Sequence, residues 1–151
     1  MSAANTSPAS TSQQQISVIT LGVSDLKRSQ SFYVEGFGWS PVFSNEEIVF
    51  YQMNGFVLGT FRLTSLEADM NRAGLLRPGA FALAHNVLRK QDVAPLMDRL
   101  VEAGGAILRP ADEPPHGGFR GYVADPDDHA WEISWNPTWS IDAHDHVTFG
   151  I

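Results

Sequence analysis

The sequence predicts an α+β fold in which one unit, a strand followed by a helix and three strands, occurs twice. Two observations support this prediction. Stretches with a two-residue alternation of side chains, typical of strands, surround two stretches with helical periodicity. The same order of elements then occurs near residues 16–63 and again near residues 80–137, although the two halves share few letters.

The composition is that of a globular domain that does not bind nucleic acid. The chain has 151 residues, 43% of them hydrophobic and 18% charged, with a formal net charge of −7. Nucleic-acid binding needs clustered Lys and Arg, whereas the ten basic residues here are scattered. There is no cysteine, which excludes disulfides and thiolate chemistry. No apolar run is long enough for a membrane span, so we expect neither a nucleic-acid nor a membrane partner.

The first 15 residues are expected to form a flexible tail, because they are rich in Ser, Thr, Gln and Ala. They lack the basic and apolar regions of a secretory signal, so the expected compartment is the cytoplasm.

The first unit begins with a strand over residues 16–23, and Ser24 or Asp25 can cap the helix that follows. Short strands are predicted over residues 39–44, 48–52 and 56–63. Asn54 and Gly55 form the preferred dipeptide of a two-residue hairpin turn, which places Tyr51 opposite Leu58. The apolar face of the helix consists of Leu26, Phe32, Tyr33 and Phe37.

Residues 64–79 are polar and are expected to form a linker with one short helix. The second unit then starts with a strand over residues 80–87 and a helix capped by Asp92, with Pro95 in its first turn. Before the last hairpin, a strand is predicted over residues 106–108 and a loop over residues 110–115. Residues 138–151 are expected to form a C-terminal tail.

The last hairpin, residues 117–137, is the most informative stretch. Two alternating runs flank the turn formers Asp125 to His129. If those five residues are the turn, Tyr122 lies opposite Glu132 on the more polar face of the hairpin. Trp131, Ile133 and Trp135 occupy the other, strongly apolar face.

The run DPDDHAWEISWNP resembles the last hairpin of the vicinal-oxygen-chelate superfamily, which contains glyoxalase I, ring-cleaving dioxygenases and the bleomycin and fosfomycin resistance proteins. VSDLKRSQSFYVEGFGW resembles that family's first passage from strand to helix, and the likeness covers residues 16–137. Asp128 replaces the Gly that is usual in the turn, and Asp tolerates left-handed φ better than most residues. The resemblance implies two tandem βαβββ modules that form a cup-shaped mixed sheet with helices on the outer face. It also implies one domain with modules at 16–63 and 80–137, and a homodimer.

Metal-dependent members of that family bind a divalent ion through four side chains of their first and last strands. At the matching positions this chain has Val18, Leu58, Ala82 and Glu132, so only one ligand remains. A divalent ion needs four to six donors. The resemblance therefore implies a protein without a metal centre or other cofactor. His85 lies three residues beyond Ala82 and is expected on the opposite face, covered by a helix.

Strand alternation, combined with the resemblance, predicts a mostly apolar cup with a few convergent polar groups, as is usual for small-molecule sites. In the fosfomycin-resistance branch a Tyr at the place of Tyr122 lines the ligand pocket. The predicted lining residues are Val18, Thr20, Tyr51, Leu58, Thr60, Ala82, Ala84, Arg120, Tyr122, Glu132 and Ser134.

Glu132 is a candidate general base or ligand contact; the alternative is a carboxylate paired with Arg120 or Tyr122. His116, in a loop that could overhang the cup, is a candidate for proton transfer or simply a solvated side chain. His129 is expected to be structural, and His144 and His146 to be exposed.

Two functions fit these residues. The first is a metal-independent protein, similar to bleomycin resistance proteins, that binds a small organic molecule in the cup. The second is a cofactor-free isomerase, lyase or cyclase that uses Glu132, Tyr122 or His116 for proton transfer. A metal-dependent glyoxalase or dioxygenase is a distant third.

Overall fold

A computed structural model describes residues 12–75 and 78–151, so most of the predicted N-terminal tail (residues 1–11) lies outside the described residues. None of the helices in these ranges is long and apolar enough to cross a membrane. The helices are α1 (Leu26–Ser31, continued by a π-helical segment, Phe32–Phe37), α2 (Leu63–Met70) and α3 (Val93–Glu102). The strands are β1 (Val18–Val23), β2 (Phe43–Ser44), β3 (Ile48–Gln52), β4 (Val57–Arg62), β5 (Leu83–Asn86), β6 (Ala106–Asp112), β7 (Phe119–Ala124), β8 (Ala130–Trp135), β9 (Ser140–Ile141) and β10 (Val147–Thr148).

Two four-stranded mixed sheets confirm the predicted α+β class and the two tandem modules. The N-terminal sheet has the order β1-β4-β3-β2 and the C-terminal sheet the order β5-β8-β7-β6. In each sheet the first strand runs parallel to its neighbour and the other pairs are antiparallel. The predicted hairpin turn at Asn54-Gly55 is confirmed, because Tyr51 pairs with Leu58.

Three local predictions need correction. Strand β6 extends through Asp112, where a loop was expected from residue 110, and two register shifts accommodate the extra length. By contrast, the cap of α1 is confirmed: Asp25, one of the two predicted caps, accepts a hydrogen bond from the amide of Arg28. Asp92 precedes α3 without capping it through its side chain, because its carboxylate is paired with Arg89 at 2.8 Å. Residues 138–151, expected to be a tail, contain the hairpin of β9 and β10.

One core holds both modules together. The face of each sheet on which α1 or α3 packs is called its helix face, and the other its open face. The helix face of the N-terminal sheet carries Leu21, Val49, Tyr51 and Leu58, and that of the C-terminal sheet carries Val123, Trp131 and Ile133. These residues form a single buried cluster with the apolar side chains of α1 and α3. The helix faces therefore point toward each other, and the open faces lie on opposite sides of the shared core.

Gly36 allows the two helices to approach closely. A Cβ at this position would lie 2.8 Å from Leu100 Cδ2 on α3, well inside van der Waals contact. The π-helical segment and α3 therefore pack with almost no side chain between them at this point.

A buried hydrogen-bonded group, the Tyr33 junction, links the modules at the centre of the core. Tyr33 Oη donates to Asp125 Oδ2 at 2.7 Å and accepts from Trp131 Nε1 at 3.1 Å. Burial, reinforced by the neighbouring Asp125 carboxylate, raises the pKa of Tyr33 well above its usual value, so the hydroxyl stays a donor. Burial also raises the pKa of Asp125, against the opposing effect of His129.

The turn of the last hairpin contacts the start of α1. Asp125 N donates to His129 O at 2.8 Å, and Asp128 has a φ of 71°, so the predicted five-residue turn is confirmed. His129 Nε2 donates to Gly22 O at 2.8 Å, in agreement with a structural role. Asp127 accepts from the amide and hydroxyl of Ser24, both at 2.9 Å. The family-like turn therefore attaches the second module to the first.

We expect Tyr33→Phe to lower the free energy of unfolding by about 1–3 kcal/mol, because Asp125 and the indole N–H of Trp131 lose a buried partner. Tyr51→Phe is a matched control: Tyr51 is equally buried, but its hydroxyl has no hydrogen-bond partner among the described residues. Denaturant unfolding of both variants measures the difference. Equal losses of stability would contradict a special role for the Tyr33 junction.

Candidate functional site

The open face of the C-terminal sheet carries the predicted polar group of the cup. Tyr122 pairs with Glu132 across the last hairpin, as expected, and Arg120 pairs with Ser134. Ala84 lies beside Glu132 on the parallel strand β5. Paired residues on adjacent strands project from the same face, so these five side chains share one surface.

Glu132 has no ionic or hydrogen-bond partner in the part of the chain that the structure describes. Its side chain is half-buried, and Arg120, the cation that could have paired with it, binds another carboxylate. Arg120 contacts Asp112, which also binds Arg109 at 2.8 Å. The hydrogen bond from Arg109, and to a smaller extent that from Arg120, lowers the pKa of Asp112. This carboxylate is therefore charged at neutral pH. The open face therefore presents one unengaged carboxylate next to a phenol.

Two groups of predicted cup residues lie on different faces of the N-terminal sheet. Val18 and Thr20 lie on its open face. Tyr51, Leu58 and Thr60 lie on its helix face, because β4 pairs Leu58 with Ile19 and Thr60 with Leu21. The expectation that all five face one cup is corrected here. A one-residue difference in register exchanges the two faces of a strand, and β1 and β4 have no hairpin between them to fix it.

The same register changes one of the four positions that correspond to metal ligands in the resembling family. Val57, and not Leu58, pairs with Val18 on the open face. Ala82 precedes β5 and is exposed. No cluster of three or more His, Cys, Asp or Glu side chains within residues 12–75 and 78–151 is arranged to hold a metal ion.

The remaining predicted residues are dispersed. His116 lies in the exposed loop between β6 and β7, before Gly117 and Gly118, which both have positive φ. His144 and His146 are exposed in the turn between β9 and β10, where His146 lies 3.5 Å from Asp142.

A groove of about 1140 Å³ runs between the two modules, mainly on their helix faces. Of the predicted lining residues it contains Tyr51, Leu58, Ala82 and Ala84. Ala84 contributes although it belongs to the open face, because β5 is the edge strand of its sheet and the groove curves around that edge. Among the lining residues that the sequence did not indicate are Trp39, His85, Arg99, Trp131, Ile141, Asp145 and Val147.

His85 is on the helix face, as predicted, and lies among aromatic rings of the groove. Its ring centroid is 5.4 Å from that of Phe37 and 6.2 Å from that of Trp39. Burial lowers the pKa of His85, and the nearby Asp145 carboxylate opposes this only in part. The imidazole is therefore neutral at pH 7 and can both donate and accept a hydrogen bond.

A family model described as Glyoxalase/Bleomycin resistance protein/Dioxygenase superfamily matches residues 15–133. No curated protein gives a significant match. A solved structure described as a glyoxalase-related enzyme from Fulvimarina pelagi is 62% identical, with a TM-score of 0.90, and covers 92% of this chain and 100% of its own.

More distant structures share the fold. A lactoylglutathione lyase from Agrobacterium tumefaciens has 22% identity and a TM-score of 0.66, over 87% of this chain and 100% of its own. A genomically encoded fosfomycin resistance protein from Listeria monocytogenes has 21% identity and a TM-score of 0.65, over 83% and 95%. Proteins described as having different functions therefore share this architecture, and the fold alone does not identify the function.

We expect stability to fall with decreasing pH below about 6.5, partly because of His85. The unfolded imidazole binds a proton near its ordinary pKa of 6.5, whereas the folded one resists protonation, so acid favours unfolding. Denaturant unfolding at about pH 5.5 and about pH 7.5 measures the change, and His85→Gln should reduce it. His116→Gln is the control, since that side chain is exposed. An unchanged pH dependence in His85→Gln would contradict the assignment.

Proposed function

Because the chain belongs to the Glyoxalase/Bleomycin resistance protein/Dioxygenase superfamily, we propose that it binds a small organic molecule on the open face of the C-terminal sheet, without a divalent metal. The observation that carries the proposal is Glu132: a half-buried carboxylate, opposite Tyr122, that no other described side chain engages. Side chains held on rigid strands but not used internally are typical of recognition sites.

The donor set does not fit the metal that the family implies. Of the four corresponding positions, Val18, Val57 and Ala82 offer no donor atom, and only Glu132 can ligate. The polar neighbours on the same face are the Tyr122 phenol, the Ser134 hydroxyl, which already accepts a hydrogen bond from Asn136, and Arg120, a cation that repels metal ions. Proton transfer or hydrogen bonding by the side chains themselves is thus the available chemistry.

A second copy of the chain is proposed to complete the cup. The open faces of the two sheets lie on opposite sides of the shared core, so Val18 and Thr20 cannot approach Glu132 within one chain. The open face of a partner's N-terminal sheet can cover that of the C-terminal sheet here, and a twofold axis would produce two equivalent cups. A homodimer is therefore part of the proposal.

Catalysis is the second candidate function. It is favoured by the relative from Fulvimarina pelagi, which shares 62% of its residues with this chain and is described as an enzyme. Glu132 would remove a proton from the ligand and Tyr122 would stabilise the developing negative charge, as in an isomerase, lyase or cyclase that needs no cofactor. His116 lies in an exposed loop, so a part in proton transfer would need that loop to close over the ligand.

We expect the purified protein to bind well below one equivalent of divalent metal after incubation with Zn²⁺, Ni²⁺, Mn²⁺ or Fe²⁺ and desalting, because one carboxylate is too few donors. Elemental analysis measures the content. About one equivalent, lost in Glu132→Ala, would overturn the metal-free proposal.

Substitutions of Tyr122 and Glu132 distinguish a binding protein from an enzyme. Native mass spectrometry of the protein after exposure to an extract of its own host identifies the ligand. For that ligand, Tyr122→Phe is expected to weaken binding by about 1 kcal/mol. Glu132→Gln should have only a mild effect on affinity. If Glu132 is a general base, the same substitution should also lower turnover by about 100-fold or more. If neither variant alters binding or turnover, the ligand does not lie on this face.

A further inference from the structure

The inter-module groove is separate from the proposed cup. Glu132 and Tyr122 project from the open face of the C-terminal sheet, whereas His85 and Trp131 project from its helix face into the groove. Except at Ala84, where the groove reaches around the edge strand β5, a molecule in the groove would be separated from one in the cup by the thickness of the sheet. A ligand of the groove can therefore differ in its chemistry from a ligand of the cup.

The lining of the groove includes the aromatic rings of Trp39, Tyr51, Phe56 and Trp131, and Phe37 packs against Trp39. Trp39 stacks on Phe37 at 4.1 Å with an interplanar angle of 11°, and its ring centroid lies 5.7 Å from that of Trp131. Tyr51 continues the wall at 6.3 Å from Trp39. Such surfaces favour a planar aromatic guest, which can stack on one ring and meet the edge of another.

Two polar side chains beside the aromatic rings, Tyr51 and His85, are uncharged, although Asp92, Arg99 and Asp145 also line the groove. Tyr51 is 1% exposed, and its hydroxyl is buried with no hydrogen-bond partner among the described residues. Burial raises the pKa of Tyr51 to about 12, so the group is a donor without an acceptor. Since buried polar groups are nearly always paired, this hydroxyl lacks an explanation within the described part of the chain. His85 offers a second neutral hydrogen-bonding group in the same groove.

The C-terminal hairpin forms the outer wall. Asn54 Nδ2 donates to Asp145 O at 2.6 Å, which attaches the turn of this hairpin to the β3–β4 turn of the first module. Ile141 and Val147 line the groove from this hairpin. The groove thus has walls from both modules and from the C-terminal hairpin, and its volume of about 1140 Å³ is slightly above the roughly 300–1,000 Å³ of small-molecule sites.

We propose that this groove is a second ligand site, for a planar, uncharged aromatic molecule that carries one hydroxyl or carbonyl oxygen. The rings of Trp39 and Trp131 contact its faces and edges. Its oxygen accepts a hydrogen bond from Tyr51 or exchanges one with His85. Neither Tyr51 nor His85 can neutralise a charge in a buried position, so the part of the groove beside the aromatic rings favours an uncharged guest.

The probe for the test is 2-naphthol, which is planar, uncharged at neutral pH and carries one hydroxyl. Titration should quench tryptophan fluorescence to saturation, and calorimetry gives the dissociation constant. Tyr51→Phe is expected to weaken binding by about three- to tenfold, the effect of one lost hydrogen bond. The same change should leave the stability of the free protein equal or higher, because the hydroxyl has no partner there.

Tyr122→Phe makes the same chemical change on the open face of the sheet and should leave the 2-naphthol affinity unchanged. Resonances of the His85 ring and the Trp39 indole should shift on binding, and those of Tyr122 should not. No saturable binding, an affinity that responds to Tyr122→Phe but not to Tyr51→Phe, or shifts confined to the open face would each overturn the proposal.

Discussion

The hydroxyl of Tyr33 is where the two halves of the molecule meet. It donates to Asp125 in the last hairpin and accepts from Trp131 on β8, while its ring packs 5.8 Å from Tyr51 of the first sheet. A buried carboxylate without such a donor would be costly, so the position of α1 relative to β8 is strongly constrained. This constraint turns the helix faces toward each other. It thereby determines which surfaces remain open to ligands or to a second chain.

The last hairpin was predictable because its information is local. Alternation identifies both strands, the turn formers determine its length, and a five-residue turn pairs Tyr122 with Glu132 without reference to the rest of the chain. The inward position of His85 followed from alternation in the same way. Even the replacement of a usual Gly by Asp128 could be accommodated, since Asp tolerates the left-handed backbone found there.

The faces of the N-terminal sheet could not be derived in this way. Strands β1 and β4 run parallel and are separated by α1 and two further strands, so their register depends on how α1 packs rather than on a turn. The groove was beyond sequence reasoning for a related reason. Its walls come from β3, β5, α3 and the C-terminal hairpin, which are brought together only when both modules share one core. Neither Trp39 nor Asp145 belongs to a motif that would indicate such a site.

The attachment of Asp127 to Ser24 joins residues 103 positions apart in the chain. During synthesis, the first strand and helix therefore leave the ribosome about a hundred residues before the turn that holds them. Contacts of such long sequence separation carry a large entropic cost of closure and tend to slow folding. Until α3 and then the last hairpin have been made, the aromatic face of α1 has only its own sheet to cover it. The nascent N-terminal half thus keeps hydrophobic surface exposed until the second module has been made, and the domain can close only once the last hairpin is available.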